Sequence, residues 1–313
     1  MGRQTGILAA LQRFDALYAA SDVNKQQRLQ QALNVVFRAV DIFGVEGLCF
    51  SFNGGKDSTV VLHLLRIALA KRVLADEERA QTAAAATQDE AIVDGVETEN
   101  STGEATMTHR VTSPRNSFVR TDLVSEDELE TRVDVLLRRM PVMYFDSHDQ
   151  FPEVRAFIDQ CVERYSLHCH TYKCSFVEGV KDVLDKRHVK GVFMGVRGGD
   201  PHTESLEHFS PSTAGWPPFL RINPILRWTY QDVWSFLREC GLEYCLLYDH
   251  GYTSLGNIFD TVQNPALWCS KDGSDSGSDS GSTTEGYYQP AYMLVDGSSE
   301  RSGRQKNAHT TSK

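Results

Sequence analysis

Residues 47–65 combine a short apolar segment, a glycine turn and an apolar stripe, and this combination constrains the fold more than any other part of the chain. The apolar run Leu48–Phe52 is typical of a buried strand. The turn at 53–55 contains two adjacent glycines, and the valines and leucines that follow it predict a helix with one buried face. A glycine turn between strand and helix exposes free backbone N–H groups at the positive end of the helix dipole. We therefore predict an anion-binding loop suited to phosphate.

The loop differs from the two commonest nucleotide-binding motifs. A Walker A loop has four residues between its glycines and then Lys-Ser or Lys-Thr, whereas here Gly54 and Gly55 adjoin and Lys56-Asp57-Ser58 follows. The Gly-x-Gly-x-x-Gly pattern of dinucleotide-binding folds is not present at this turn either. An ordinary strand-to-helix turn is the alternative interpretation, but the run of small and polar residues favours a phosphate cradle.

Composition limits the classes of partner. The chain has 313 residues, 41% of them hydrophobic, which is typical of a soluble protein with one large or two small domains. Its 32 Lys and Arg against 42 Asp and Glu leave a net charge of −10, so we expect no nucleic-acid partner. No apolar run approaches the ~18 residues of a membrane span, so no membrane partner is expected. The 7 cysteines form no Cys-x-x-Cys pair, which favours reduced thiols in the cytoplasm, with a mitochondrial pool left open.

Strands and helices alternate along most of the chain, which predicts an α/β fold. We expect a mostly parallel, twisted sheet with helices on both faces. Two helices, at 7–20 and 23–43, form an N-terminal unit (residues 1–46) that packs on this core. Further strands are expected at Pro141–Phe145, from His168 onwards and at Val192–Met194. The loops that follow parallel strands meet at one edge of the sheet, where ligands of such folds bind.

Two segments lack the composition of a packed core. Residues 75–130 are rich in Ala, Thr, Glu, Asp and Ser, and we expect a disordered or loosely helical insertion there, with order returning at Leu136. Residues 270–286 resemble a flexible Gly/Ser/Asp linker, which would let a tail at 287–313 fold back over the site. The main domain would then span residues 47–269.

A second glycine-rich loop follows the strand that ends at Met194. It contains Gly195, Arg197 and Asp200. A guanidinium can contact a phosphate through two N–H groups at once, and the carboxylate could accept a hydrogen bond from a ligand. A surface turn with an internal ion pair is the alternative interpretation.

The histidines and cysteines at 168–174 raise the question of a metal. Strand alternation puts His168 and His170 on one face and Cys169 on the other. No second ligand pair follows at zinc spacing. A solvated strand is therefore favoured over a metal site.

Seven motifs occur in an order that resembles the FAD synthases (FMN adenylyltransferases) of the PP-loop, PAPS-reductase-like family. The resemblance covers about 47–69 and 140–304, and it implies a PP-loop fold with a C-terminal substrate-binding extension. The motifs are Asn53-Gly-Gly-Lys-Asp57, Gly195-x-Arg-x-x-Asp-Pro201, Gly215-Trp-Pro-x-Phe219, Arg221-Ile-Asn-Pro-x-Leu226, Trp234-x-Phe-Leu237, Gly251-Tyr-Thr-Ser-Leu-Gly256 and Asn264-Pro-Ala-Leu267.

The resemblance implies a Mg²⁺-dependent reaction in which the FMN phosphate attacks the α-phosphorus of ATP and pyrophosphate leaves. ATP and FMN would be the small-molecule substrates, FAD and pyrophosphate the products, and the enzyme a monomer. The implied catalytic residues are Asn53, Asp57, Arg197, Asp200, Arg301 and Arg304. The implied ATP-binding residues are Ser51, Phe52, Asn53, Gly54, Gly55, Lys56, Asp57, Ser58, Tyr144, Phe145, Asp146, Gly195 and Arg197. The implied FMN-binding residues are Asp200, Thr213, Trp216, Arg221, Tyr252, Arg301 and Arg304. Asn53 and Asp57 would bind Mg²⁺, partly through the ATP phosphates.

Two departures leave alternatives open. Thr213 stands where relatives carry Asp, and Gln289 stands where Arg is common, so a non-catalytic flavin or nucleotide binder is one alternative. A sulfonucleotide reductase is the other, because Glu239-Cys-Gly-Leu242 resembles the catalytic segment of those enzymes. Glu243 replaces the histidine of that segment, however, and Cys240 ends a predicted core helix where a reactive thiolate would be poorly accessible.

Overall fold

A six-stranded sheet forms the centre of the computed structural model, which describes residues 6–93, 123–201, 203–270 and 285–305. The spatial order of the strands is β3-β2-β1-β4-β6-β5, and all neighbours are parallel except β5 and β6. The strands are β1 (Leu48–Ser51), β2 (Pro141–Phe145), β3 (His168–Tyr172), β4 (Gly191–Phe193), β5 (Phe209–Pro211) and β6 (Leu220–Ile222). The predicted, mostly parallel α/β sheet is confirmed, and the antiparallel edge strand β5 is an addition that the sequence did not indicate.

Helices cover both faces of this sheet. The helices are α1 (Ile7–Ala20), α2 (Val23–Phe43), α3 (Lys56–Val93), α4 (Glu126–Arg139), α5 (Pro152–Arg164), α6 (Phe176–Arg187) and α7 (Tyr230–Glu239). The larger core lies under α1–α5 and α7. A smaller core on the opposite face contains Cys49, Met143 and Val192 from the sheet and packs against α6. Apolar residues of β1 therefore point to two different cores, as expected for a central strand buried on both sides.

Chain order reverses between β1 and β4. From β1 the chain moves outward through β2 to β3, and it then returns to the other side of β1 to form β4. A crevice forms at such a reversal because the two following loops leave in opposite directions. The loop after β1 and the loop after β4 are therefore brought together by the topology of the sheet.

In the segment 75–130, the first part agrees with the helical alternative of the prediction, whereas the C-terminal boundary differs from it. Helix α3 continues to Val93, and α4 begins at Glu126, so order returns ten residues before the expected Leu136. The cause is an apolar stripe that the polar composition concealed: Leu129, Val133 and Leu137 are buried and pack against α3. Residues 94–122 of the predicted insertion lie outside the described residues.

The two ends of the predicted linker pair with each other. Strand β7 (Trp268–Ser270) runs antiparallel to β8 (Gly286–Tyr288), with Ser270 opposite Gly286. Residues 271–284 lie outside the described residues. Two short 3-10 turns, Ala291–Met293 and Gly297–Arg301, then carry the tail along the protein. Within the described ranges, no helix has the length and apolar character needed to cross a bilayer.

Candidate active site

The glycine loop lies at the chain reversal between β1 and β4. A Cβ at Gly195, in the loop after β4, would lie 2.6 Å from the backbone N of Ser58 and 2.9 Å from the carbonyl carbon of Asp57. Real Cβ atoms do not approach backbone this closely, so only glycine permits the contact. The two sequence-predicted loops therefore touch through their backbones.

Asn53 holds the glycine loop in one conformation. Its side-chain Oδ1 accepts hydrogen bonds from the Gly55 N–H (3.0 Å) and the Ser58 hydroxyl (2.7 Å). Gly54 has a φ of +70°, and a Cβ there would meet Ile158 at 2.9 Å. Backbone strain and lack of space thus both require glycine at this position.

The first turn of α3 offers free backbone donors. The Lys56 N–H donates to the Tyr248 hydroxyl (2.8 Å), and the Thr59 N–H donates to the Gly55 carbonyl (2.9 Å). Asp57 and Ser58 lie between these two residues, and within the described part of the chain no group accepts a hydrogen bond from either of their N–H groups. Unpaired amides at a helix start favour an anion. This is the geometry that the sequence predicted for a phosphate loop.

Two buried cations and two partly buried carboxylates of alternating sign lie beside this loop, and we call them the charge ring: Lys56, Asp57, Arg197 and Glu300. Lys56 Nζ is 3.1 Å from an Asp57 oxygen, and the other Asp57 oxygen is 2.5 Å from Arg197 Nε. Arg197 Nη2 is 2.5 Å from one Glu300 oxygen, and the other Glu300 oxygen pairs with Lys56. The ring joins the first turn of α3, the loop after β4 and the tail.

Mutual attraction keeps Lys56 and Asp57 ionised. Burial alone lowers the pKa of Lys56, but Asp57 and Glu300 outweigh it and raise that pKa above its ordinary value. Burial likewise raises the pKa of Asp57, but Lys56 and Arg197 outweigh it and hold it below the usual range. The Lys56 ammonium also lies 5.5 Å from the centre of the Tyr230 ring and 5.8 Å from that of Tyr248. Its charge is thus directed into the protein.

Asp200 stabilises the loop after β4. Its carboxylate accepts from the Arg197 backbone N–H (2.8 Å), and its carbonyl accepts from the Thr203 hydroxyl (2.7 Å). Burial raises the pKa of this carboxyl group. Asp200 therefore fixes the backbone of Arg197.

An aromatic row connects the β5–β6 side of the site to the end of β2. The Arg221 guanidinium lies 5.2 Å from the centre of the Trp216 ring and donates to the Thr213 hydroxyl. Trp216 packs at 5.2 Å on Phe176, which packs at 5.0 Å on Phe145. The predicted flavin-side residues Thr213, Trp216 and Arg221 thus form one cluster, and Phe145 lies at its far end.

Other predicted residues lie around this centre. Ser51 ends β1, and Phe52 is the buried residue directly before the glycine loop. Tyr144 points to the opposite face of β2 from Phe145, and its hydroxyl lies 3.3 Å from the Asp146 carboxylate, which pairs with Arg155.

Tyr252 lies on the tail side of the site. It is half-buried against Phe151, with ring centres 5.4 Å apart. The next residue, Thr253, donates to the Glu300 carbonyl (2.6 Å). Tyr252 therefore lies next to the tail and is not part of the aromatic row.

The two tail arginines occupy different environments. Arg301 is exposed, and its guanidinium forms no hydrogen bond or ion pair with the described residues. Arg304 lies 3.3 Å from the Asp260 carboxylate, and a Cβ at Gly256 would lie 2.2 Å from its guanidinium. Arg301 is available to an anion, whereas Arg304 closes the tail onto the protein.

Two residues of the site were not anticipated from the sequence. Glu300 binds both cations of the charge ring, and Tyr248 accepts from the start of α3. The position of Glu300 directly before the arginine pair was the available signal. For Tyr248 no local pattern pointed to the site, because its partner lies 192 residues away in the chain.

The side-chain oxygens near the loop are of the type that Mg²⁺ prefers as ligands. Asn53 supplies an amide oxygen and Asp57 a carboxylate, which are the hard ligands that Mg²⁺ prefers alongside water and substrate phosphates. Each Asp57 oxygen accepts once and keeps a lone pair for an ion, whereas Asn53 Oδ1 already accepts twice, so Mg²⁺ would have to displace one of its two donors. At the other candidate, His168 and His170 share a face with ring centres 4.5 Å apart. Across the residues that the structure describes, no cluster of three or more His, Cys, Asp or Glu could hold a metal.

Comparison with known proteins finds similarity to FAD synthases and to a phosphoadenosine phosphosulfate reductase domain. The model of the phosphoadenosine phosphosulfate reductase domain matches residues 173–263. A probable FAD synthase of Schizosaccharomyces pombe is 30% identical over 283 residues, covering 90% of this chain and 80% of the relative. A probable FAD synthase of Caenorhabditis briggsae is also 30% identical, over 92% of this chain, but the chain spans only 42% of that longer protein. The structure of Candida glabrata FMN adenylyltransferase in complex with FAD and inorganic pyrophosphate is 20% identical with a TM-score of 0.66, over 95% of this chain and 98% of that one.

Proposed function

The chain belongs to the FAD synthase family, and from that premise we propose that it transfers the AMP moiety of ATP to the phosphate of FMN, giving FAD and pyrophosphate. The observation that carries this proposal is the pair of unpaired amides in the first turn of α3, held beside Arg197 at the chain reversal of the sheet. Both substrates are anions, so a site for this reaction needs donors and positive charge more than it needs a base.

The proposed role of the glycine loop is to bind the ATP phosphates. Asn53, Gly54 and Gly55 shape the loop, and the amides of Asp57 and Ser58 donate to phosphate oxygens. Arg197 would add charge through its Nη1, because its Nε and Nη2 are committed to the charge ring. Lys56 would act through the ring and not by contact, since its ammonium faces Tyr230 and Tyr248.

The proposed adenine and flavin sites lie at the two ends of the aromatic row. The end of β2, at Tyr144, Phe145 and Asp146, would bind the adenine largely through backbone groups. Trp216 and Arg221 would bind the flat flavin ring, which needs apolar surface with polar contacts at its rim. Asp200, Thr213, Tyr252, Arg301 and Arg304 complete the proposed flavin and phosphate contacts.

The reaction requires one bond to form and one to break. A phosphate oxygen of FMN bonds to the α-phosphorus of ATP, and the bond from that phosphorus to the bridging oxygen of the β-phosphate breaks with the electron pair leaving on pyrophosphate. The chain's own residues hold the two phosphates in line and neutralise their charge. Mg²⁺, with Asn53 and Asp57 among its proposed ligands, would supply additional charge neutralisation when bound. We further propose that the protein is a cytoplasmic monomer, in keeping with its acidic composition and its seven free thiols.

The test of this function is direct. Pure protein incubated with FMN, ATP and Mg²⁺ is expected to form FAD and pyrophosphate in equal amounts, measured by chromatography and a pyrophosphatase-coupled assay. The same mixture with EDTA is expected to give no FAD, because the charge of the triphosphate is then not neutralised. A protein that binds FMN but forms no FAD with Mg²⁺ would establish the alternative of a non-catalytic binder, which Thr213 and Gln289 left open.

The sulfonucleotide reductase alternative depends on Cys240. That thiol is fully buried at the end of α7, and burial raises its pKa to about 12, so it is neither accessible nor ionised near neutral pH. The variant Cys240→Ser is expected to form FAD at a rate within about threefold of wild type per folded protein. Loss of FAD formation in a folded Cys240→Ser protein would instead give the cysteine a chemical role.

A further inference from the structure

The tail closes the charge ring through Glu300. The other three members come from the two sequence-predicted loops, and without Glu300 they leave two buried cations with one carboxylate between them. The side chains of Lys56 and Arg197 are 3% and 6% exposed. Removing one partner of a buried ion pair is strongly destabilising because the remaining charge is poorly solvated. Glu300 is therefore needed for the two cations to keep their places.

The backbone around Glu300 is held by buried polar groups. Its carbonyl accepts from the Thr253 hydroxyl, and the Thr253 oxygen in turn accepts from Asn264 Nδ2 (2.9 Å). The same Asn264 amide donates to the Ser299 carbonyl (2.8 Å). Thr253 is 1% exposed and Asn264 is fully buried. The backbone that carries the Glu300 carboxylate is thus fixed by buried polar groups.

Two carboxylates hold the Arg197 guanidinium through two different nitrogen atoms. Asp57 binds Nε and Glu300 binds Nη2, each at 2.5 Å. A planar guanidinium held at two nitrogen atoms by two separate carboxylates has a fixed orientation, so the direction of Nη1 is set. With Asp57 alone, the guanidinium could turn about a single contact.

We infer that Glu300 is a positioning residue for the transfer reaction: it fixes the direction of Arg197 and, through Lys56, the first turn of α3. The expected effect of Glu300 on kcat rests on the proposed function, whereas its effect on the orientation of Arg197 and the first turn of α3 does not. Docking of the tail is then a condition for the active arrangement of the phosphate loop, even though Glu300 itself does not contact substrate. Its partner Lys56 lies 244 residues earlier, so the tail couples the end of the chain to the loop after the first strand.

The experiment compares two tail variants in the full chain. Glu300→Gln removes the charge but keeps the side-chain length, whereas the control Asp296→Asn changes an exposed tail carboxylate that accepts from the Ser298 N–H (2.9 Å) outside the ring. For Glu300→Gln we expect kcat to fall at least about 30-fold, with KM for FMN within about threefold of wild type, because orientation and not binding is lost. For Asp296→Asn we expect kcat within about twofold of wild type. A kcat change in Glu300→Gln no larger than that of the control, or a loss confined to KM, would overturn the inference.

A second readout needs no activity. Deuterium exchange of the ligand-free proteins is expected to be at least about tenfold faster at residues 53–59 in Glu300→Gln than in wild type, and unchanged there in Asp296→Asn. Equal protection of residues 53–59 in all three proteins would overturn the inference. Failure of the wild-type protein to form FAD would overturn the proposed function and leave this readout intact.

A double variant covers the outcome in which Glu300→Gln does not fold. Lys56→Gln with Glu300→Gln removes one cation and one anion, so the buried charges balance again, and folded protein is expected to be recovered. Its kcat is still expected to be low, because Arg197 keeps only one of its two carboxylates. A double variant with wild-type kcat would show that Glu300 does not position Arg197.

Discussion

Replacing Asn53 with Ala is expected to lower kcat/KM for FAD formation at least about 100-fold, or about 2.7 kcal/mol in transition-state stabilisation. The single Oδ1 atom of Asn53 accepts from both the Gly55 N–H and the Ser58 hydroxyl. Alanine leaves both donors without this acceptor and frees a glycine-containing turn to adopt other conformations. The proposed phosphate contacts are made by backbone amides of this turn and of the helix after it. A change in the conformation of the turn would therefore remove these contacts. Steady-state kinetics with varied ATP measures the effect.

The matched control is Asn53→Asp, which keeps an acceptor oxygen in the same place. It is expected to retain the conformation of the loop, as judged by deuterium exchange at residues 53–59, while its added negative charge weakens ATP binding. The assignment of the phosphate loop would fail if Asn53→Ala retained a rate within about threefold of wild type.

The variant Gly195→Ala is expected to reduce kcat/KM by about 100-fold as well, through a different cause. The added Cβ would lie 2.6 Å from the Ser58 backbone N and 2.9 Å from the Asp57 carbonyl carbon, and neither atom can move without moving the first turn of α3. Overpacking of this kind costs about 1–3 kcal/mol of stability. A displacement of about 1 Å at a reacting centre can lower the rate about 100-fold. The measurement is kcat/KM together with thermal unfolding, so that the folded fraction is known.

Gly198→Ala is the control within the same loop. Its Cβ would have one neighbour, the Leu226 carbonyl oxygen at 3.1 Å, which is a milder contact. We expect kcat/KM within about fivefold of wild type. If Gly195→Ala were as active as Gly198→Ala, close backbone contact between the two loops would not matter for the reaction.

Local patterns predicted the elements that form the site. Strand β2 spans the predicted Pro141–Phe145, and helices α1 and α2 span the predicted 7–20 and 23–43. These features depend on residues a few positions apart, so periodicity reveals them. Helix α4 was missed because three buried residues among many charged ones gave it a polar average composition. The apolar stripe of α4 becomes evident only in the folded protein, where α3 packs against it.

The sequence by itself determined the glycine loop at 53–58, because strand, turn and helix start are properties of consecutive residues. It also determined that Arg197 and Asp200 share one loop. Only the tertiary structure decided that Lys56 faces inward, that Tyr248 and Glu300 belong to the site, and that Arg301 and Arg304 differ in availability. The physical reason is that hydrogen bonds and ion pairs between residues 44 to 244 positions apart leave no periodic trace in the chain, since the tertiary fold creates their geometry.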